Sequence, residues 1–352
     1  MIRIYTYANN RPDFIEVQKR SFDKYIKGDY KFVVFNNAYD SIDVRCDVPV
    51  HTRFQEIERE CENSGIETRR ISIDELEVLT KYEGQEHLNI KDGKYTVGNV
   101  ALSCPLNGTW PSIIKECDPD DIIILIDTDM FFTRDFDPAR FLGDHDIAYV
   151  PQYRGHRIDS YDAHYAWNGI FMSKASTPNL QEMNWFCGTV NGHKVDVGGQ
   201  THHFLEKNPS LKKKVIEVYN IVSINSNTDF RYIDCHLNGN FRWTFSRHYQ
   251  HGQVQVINVG SDVTQDSRCL PYMRPDPERF LRLFTIVEGM CDLAQENGFP
   301  VPAWFDFVGH ENAKSVDDCF IFHYKSGSNY MGFSNDDYNR RKTRALIKML
   351  GI

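Results

Sequence analysis

The sequence predicts an α/β fold with a mainly parallel central sheet, and three observations carry that prediction. Strand-like and helix-like segments alternate from residue 2 onwards in β-α-β-α-β order, an order that calls for parallel strands joined by right-handed crossovers. The stretch "DDIIILIDTDMFF" (residues 120–132) holds a run apolar on both faces, as strands covered on both sides are. At 41% apolar and 25% charged over 352 residues, the chain has an ordinary globular composition and enough apolar residues for a sizeable core.

The elements follow in order. Ile2 to Ala8 is rich in β-branched and aromatic residues and reads as a strand. Pro12 then opens an amphipathic helix with Phe14, Val17, Phe22 and Ile26 at helical spacing. "KFVVFNNAYD" is a second strand ending in Asn36 and Asn37; Thr52 to Cys61 is helical, and "IETRRISI" extended. Glu83 to Gly98 is polar and glycine-rich, a mobile loop. Short helices are expected around Val100 and Ile113, broken by Pro105 and Gly108. After the apolar strand, "DIAYVPQY" and "NGIFMS" are further strands. Helices are expected over Pro178 to Phe186 and from near Gly198. "VQVINVG" reads as a late strand and "DPERFLRLFTIVEGMCDLAQENG" as the clearest helix, with Phe280, Phe284, Val287 and Cys291 on one face. "DDCFIFHY" is a last strand, and Asp336 to Leu350 a closing helix.

A net charge of −9 argues against a general nucleic-acid binder, which needs a basic surface. Nine cysteines with no C-x-x-C pair point to reduced thiols rather than a zinc ribbon or a disulfide framework. The N-terminus "MIRIYTYANNRPDF" is a strand rather than a signal peptide, and no run of eighteen apolar residues occurs. The expectation is therefore a cytoplasmic protein without a membrane span, in which the sequon Asn107-Gly108-Thr109 is incidental.

Asp127 and Asp129 follow the apolar strand. Ligands of open parallel sheets bind outside the carboxyl ends of strands, and residues i and i+2 of a strand point the same way. Two carboxylates held together call for a proton or a cation, and Mg²⁺ or Mn²⁺ suits oxygen ligands. Turn chemistry is the bland alternative. Haloacid-dehalogenase-type phosphotransferases also place Asp-x-Asp after an apolar strand. They want Thr or Val where Phe131 stands, and usually carry the motif on the first strand.

With these features the sequence resembles glycosyltransferases of the GT-A fold, distantly those of glycogenin type, whose metal signature is an apolar strand ending in Asp-x-Asp. "WNGIFMS" (residues 167–173) resembles their Asn-x-Gly segment. "VGGQTHHFL" (197–205) resembles their Gly-Asp-Gln segment, with Gly199 where the acidic residue would stand. "FHYKSGSNY" (322–330) resembles their late His-x-x-Gly loop, with Gly327 one residue later. The resemblance implies a GT-A core over residues 1–270. It assigns 271–352 to a C-terminal extension that closes the donor site within the same compact unit.

It further implies a metal-dependent glycosyltransferase, leaning towards retention of configuration. A UDP- or GDP-sugar donor and a glycan or other hydroxyl acceptor follow from it. Asp127, Asp129 and His323 would hold Mn²⁺ or Mg²⁺. Lys325, Ser326, Gly327 and Asn329, with Ser328, would meet the diphosphate on a lid-like loop, where a glycine-containing turn exposes backbone N–H groups. Thr6, Tyr7, Ala8 and Arg11 would line the nucleotide site, with Asn36 on the base or ribose. Asn168, Asp196 and Gln200 are the catalytic candidates, with Asp196 a possible substitute for the acid missing at Gly199.

Trp167, Tyr161 and Tyr165 stand beside the "NG" dipeptide as sugar-stacking or core aromatics. His202 and His203, adjacent on a helix, point about 100° apart and so do not easily share an ion; they read as surface or acceptor-site residues, and His248 and His251 have no carboxylate nearby in sequence. No G-x-S-x-G elbow and no G-x-G-x-x-G after the first strand occur, so neither a serine hydrolase nor a dinucleotide cofactor is supported. The alternatives carried forward are a metal-dependent phosphotransferase or phosphatase and a non-catalytic sugar-nucleotide-binding protein.

Overall fold

The computed structural model describes residues 1–38, 42–43, 50–71, 90–91, 94–95, 98–154, 162–224, 242–247, 289–290, 293, 296, 304–310, 319–324 and 336–352. Its principal elements in chain order are β1 (Ile2–Ala8), α1 (Pro12–Tyr25), β2 (Tyr30–Asn36), α2 (Phe54–Asn63), β3 (Glu67–Arg70), α3 (Gly98–Glu116), β4 (Ile122–Ile126) and β5 (Met130–Phe132). There follow α4 (Pro138–Leu142), β6 (Ile147–Arg154), β7 (Ala163–Lys174), β8 (Gly188–Val190), β9 (His193–Val195) and α5 (Thr201–Lys207). The chain ends with β10 (Lys213–Ile224), β11 (Arg242–Arg247), β12 (Trp304–His310), β13 (Cys319–His323) and α6 (Asp336–Leu350).

The first compact unit comprises Met1–Ile15, Lys27–Thr128 and Asp137–Val215. Its sheet runs in the order β3-β2-β1-β4-β7-β6, followed by the first residues of β10. β1 is parallel to β2 and β4, β2 to β3, and β6 to Lys213–Val215; only β7 runs antiparallel to its neighbours. This is the mainly parallel α/β arrangement that the strand-helix alternation predicts. β4 is an interior strand, in register with Ile2–Tyr5 of β1 on one side and Ile170–Lys174 of β7 on the other. Interior position explains its apolar run: both faces are covered, and Ile123 to Ile126 are buried. At its entry Asp121 accepts from the amino terminus at 2.9 Å and from Arg3 Nε, which accounts for the acid at the start of an apolar strand.

One helix, α3, replaces the two short helices expected around Val100 and Ile113, although Pro105 and Pro111 lie inside it. Proline inside a helix removes a backbone hydrogen bond, but the apolar face of α3 offsets the loss. Leu106, Trp110 and Ile113 are buried in the core with Tyr5, Phe35 and Phe171. Trp110 also donates to the Leu180 carbonyl at 2.8 Å. The expected helix over Pro178 to Phe186 is reduced to a single 3₁₀ turn, Leu180–Glu182. Leu180, Met183 and Trp185 join the same core, and the Trp185 N–H donates to Asn107 Oδ1 at 3.0 Å. The later helix begins at Thr201.

The second compact unit comprises Glu16–Ile26, Asp129–Phe136 and Ile216–Ile352. Its strands are antiparallel, in the order β10-β12-β13-β5, with β11 against β10. β5 and β10 to β12 answer to no segment that sequence patterning marks as a strand. Within this unit Gln18 Nε2 donates to the Met130 carbonyl at 3.2 Å, and the Phe132 N–H donates to Ser21 Oγ at 3.3 Å. Phe136 stacks on Phe320 with centroids 4.4 Å apart, and the Tyr25 hydroxyl donates to the Leu350 carbonyl at 2.9 Å.

"VQVINVG" lies outside the described residues, as does most of the segment read as the clearest helix; its residues 289, 290, 293 and 296 are helical. Of the expected loop from Glu83 to Gly98, the described part holds two short paired strands, Ile90–Lys91 and Lys94–Tyr95, and Gly98 already belongs to α3.

Candidate functional site

β4 ends at Ile126, and Thr128 and Asp129 form a turn before β5 begins at Met130. The alternation of a regular strand therefore stops short of the acidic pair, and turn geometry orients the two carboxylates instead.

In the first unit, the Asp127 N–H donates to the Gly169 carbonyl at 2.9 Å, so β7 fixes the backbone of Asp127. Asn168 Nδ2 lies 3.4 Å from Asp127 Oδ1, and Asn168 is buried. The "NG" pair of β7 also has a packing reason. A Cβ at position 169 would lie 2.3 Å from the Trp167 ring, so the buried Trp167 occupies the space that glycine leaves.

In the second unit, β5 pairs with β13 so that Met130 faces His323, and the Tyr324 N–H donates to the Asp129 carbonyl at 2.8 Å. That register carries His323 Nε2 to 3.3 Å from Asp129 Oδ1. Asp129 is 8% exposed and His323 4%. A carboxylate oxygen and an imidazole nitrogen at this distance share a proton or accept a common cation. A carboxylate oxygen suits Mg²⁺ or Mn²⁺, and an imidazole nitrogen is an acceptable further ligand for a transition metal such as Mn²⁺.

At the nucleotide-side candidates, side chains alternate along β1. Tyr7 faces the core cluster, stacking on Phe35 at 4.9 Å with its hydroxyl against Thr109. Thr6 is fully buried, and its hydroxyl has no partner among the described residues; Ala8 is buried at the strand end. Arg11 is 2% exposed, ion-paired with Asp13 and stacked over the Phe14 ring at 3.6 Å. Asn36 spends its amide locally: Nδ2 donates to the Phe54 carbonyl at 3.0 Å, and Oδ1 accepts from the Ala38 N–H at 3.2 Å. That is an Asx-type turn, a local role for the side chain that the resemblance puts on the base or ribose.

The "VGGQ" segment forms a tight turn. A Cβ at Gly199 would fall 2.1 Å from Val195 Cγ2 and 2.9 Å from the Asp196 carbonyl, so this backbone has no room for the acid that stands there in the resembling family. Asp196 Oδ1 accepts from the Val197 N–H at 2.8 Å. Burial raises the Asp196 carboxyl above the usual range, with the Val197 N–H and Arg154 opposing. Burial also lowers the Arg154 guanidinium, which lies over the Tyr165 ring at 5.2 Å. Gln200 Nε2 donates to the Thr189 carbonyl at 3.3 Å.

Two features escaped sequence reasoning. His202 is buried rather than a surface residue, with its ring centroid 5.2 Å from that of His203. His164, at the start of β7, is held near pKa 4 by burial, with His202 and Lys213 adding to the shift, and it lies 3.0 Å from the Tyr149 hydroxyl. Neither carries a local motif. Lys325, Ser326, Gly327, Ser328 and Asn329 lie outside the described residues, as do Tyr161, His248 and His251.

No protein-family model matches the chain, and no curated protein sequence matches it. Among solved structures, it is similar to the galactosyltransferase LgtC in complex with donor and acceptor sugar analogues. The identity is 11% and the TM-score 0.31, over 52% of this chain and 62% of that one; an active-site mutant of LgtC matches at 13% identity and a TM-score of 0.32. The chain thus spans about three fifths of the length of LgtC. It is also similar to mouse xyloside xylosyltransferase 1 in its apo form, at 10% identity and a TM-score of 0.36, over 61% of this chain and 85% of that one.

Proposed function

We propose that the chain is a metal-dependent glycosyltransferase of the GT-A type. It transfers a sugar from a UDP- or GDP-linked donor to a glycan or other hydroxyl acceptor, with retention of configuration. The observation that carries this reading is the buried pair of Asp129 and His323, residues far apart in the sequence that the β5–β13 ladder sets at 3.3 Å. Asp127, two residues before Asp129, is the second carboxylate, and the Asn168 amide at 3.4 Å orients it.

Bound by Asp127, Asp129 and His323, Mn²⁺ or Mg²⁺ would neutralise charge on the departing diphosphate. Departure of that group limits glycosidic cleavage, which passes through an oxocarbenium-like state. Lys325 and the backbone of Ser326, Gly327, Ser328 and Asn329 would share the charge. The buried Thr6 hydroxyl, without a partner among the described residues, supports a ligand at the carboxyl end of β1, where the nucleotide would lie along Ala8 and the backbone of Tyr7, whose ring faces the core. Arg11, already paired with Asp13, would act by positioning that wall. Gln200 and Asn168 would face the sugar. Retention needs no base, in keeping with the glycine at Gly199.

The test is a thermal-shift panel of nucleoside diphosphates with and without Mn²⁺, followed by donor hydrolysis on any hit. UDP or GDP should raise Tm only with Mn²⁺, and Asp129→Asn or His323→Ala should abolish that shift. Nucleotide stabilisation without donor hydrolysis would indicate a binding protein. Phosphate release from simple phosphoesters would indicate the phosphotransferase class. Proton NMR of the first product reads the anomeric configuration.

A further inference from the structure

α5 carries a second group of metal-ligating side chains, independent of the reaction proposed above. Ligand atoms of His202, His203 and Glu206 all lie within 4.8 Å of one another. Adjacent histidines point about 100° apart on a helix, but His202 and His203 stand four and three residues before Glu206, the spacings at which helical side chains meet, so the Glu206 carboxylate is within reach of both rings.

The hydrogen bonds of His202 give the cluster its direction. His202 is 5% exposed. Its Nδ1 lies 2.9 Å from the His164 carbonyl oxygen and 3.4 Å from the His164 N–H. The shorter contact requires a proton on Nδ1, which then donates to the carbonyl and leaves the Nε2 lone pair pointing away. That lone pair faces Glu206 Oε2 at 3.2 Å. Two acceptors at that distance require a proton or a cation between them. A ring nitrogen bonded to a backbone carbonyl, with the other presented to a carboxylate, is the supporting arrangement that metal-bound histidines use.

We infer that His202, His203 and Glu206 form a binding site for a divalent transition metal. His202 Nε2, a ring nitrogen of His203 and a carboxylate oxygen of Glu206 are the ligands. Two imidazoles and one carboxylate favour Zn²⁺, Co²⁺ or Ni²⁺ over Mg²⁺ or Ca²⁺, which take oxygen shells. Three protein ligands leave at least one position for water or an added ligand. A metal here ties α5 through His202 to the start of β7. Asn191 Nδ2, 3.4 Å from His202 Nε2, would yield its long contact to the ion.

The test titrates Co²⁺ into the full-length chain without added histidines, in an Asp127→Asn, Asp129→Asn background that removes the acidic pair. Affinity is followed by calorimetry and by the visible band of nitrogen-ligated Co²⁺. One equivalent should bind, and tenfold excess Mg²⁺ should not displace it. His203→Ala and Glu206→Gln, both at exposed positions and so compatible with folding, should each weaken it by more than the roughly 10–100-fold that loss of a supporting partner costs. Absence of Co²⁺ uptake, or unchanged affinity in either variant, would reduce the trio to an ordinary helical ion pair and overturn the inference.

Discussion

Gly198→Ala is the perturbation that most directly probes how the "VGGQ" turn is built. Gly198 has φ +87° and is fastened at both ends: its N–H donates to the Trp185 carbonyl at 2.8 Å, and its carbonyl accepts from Thr201 Oγ1 at 2.6 Å. Thr201 Oγ1 in turn accepts from the Ala166 N–H at 2.8 Å, so the turn is pinned to β7. A Cβ at position 198 would lie 2.2 Å from the Ala166 carbonyl oxygen, a backbone atom. Gly192 has nearly the same φ, +82°, with nothing within 4 Å of its Cβ, and it serves as the control. A left-handed alanine costs roughly 1–2 kcal/mol, offset by about 0.4–1 kcal/mol from the stiffer unfolded chain. Gly192→Ala should therefore cost about 1 kcal/mol. Gly198→Ala pays the same and adds about 1–3 kcal/mol for forcing the turn off β7. Urea denaturation with linear extrapolation at unchanged m measures both. Stabilities of the two variants agreeing within about 0.5 kcal/mol would refute the claim that this turn is held by close backbone contact.

Four further outcomes are expected. The Asp121 carboxyl is opposed by burial but brought down to about 2 by the amino terminus, Arg3 and the Asp118 N–H. Its contribution, about 2 kcal/mol, should be complete above pH 4 and lost as pH falls towards 2; Asp121→Asn should be less stable at pH 6, with the gap closing at pH 2, by urea titration at each pH. Burial raises the Asp196 carboxyl, so the charged form strains the fold at neutral pH. Asp196→Asn should raise Tm at pH 7, with the gain shrinking as pH falls and the native carboxyl takes up its proton; a pH-independent difference would contradict this. Glu116 accepts from Tyr5 and twice from Arg69, and Glu116→Leu should destabilise by about 2–3 kcal/mol in the same denaturation assay. Asn168→Ala removes the amide beside Asp127 and should weaken Mn²⁺-dependent nucleotide binding about 10-fold or more by calorimetry, while Mn²⁺-free stability changes little.

Much of the fold is legible in the residues because period 2 and period 3.6 are local. β1, α1, β2, β4, β13 and α6 fall where their apolar spacing puts them, and an apolar run long enough to be covered on both faces marks β4 as interior before any partner is known. Proline was the misleading signal: α3 passes through Pro105 and Pro111 because Trp110 and its neighbours bury enough surface to hold one continuous helix.

Partner choice is the part that no local pattern carries. His323 meets Asp129 only because β5, three residues long and unmarked in sequence, pairs with β13 in one register. A slip of one residue would turn the imidazole to the other face. His202 is a buried residue with a directed lone pair only because the His164 carbonyl of β7 meets its ring. Gly199 excludes a side chain only because Val195 folds back over it. By itself, the sequence specified which residues lie on strands and helices and where carboxylates end a buried strand, since those depend on near neighbours. Tertiary structure alone decided which distant side chains became close neighbours, since that depends on strand register and on the burial of the whole core.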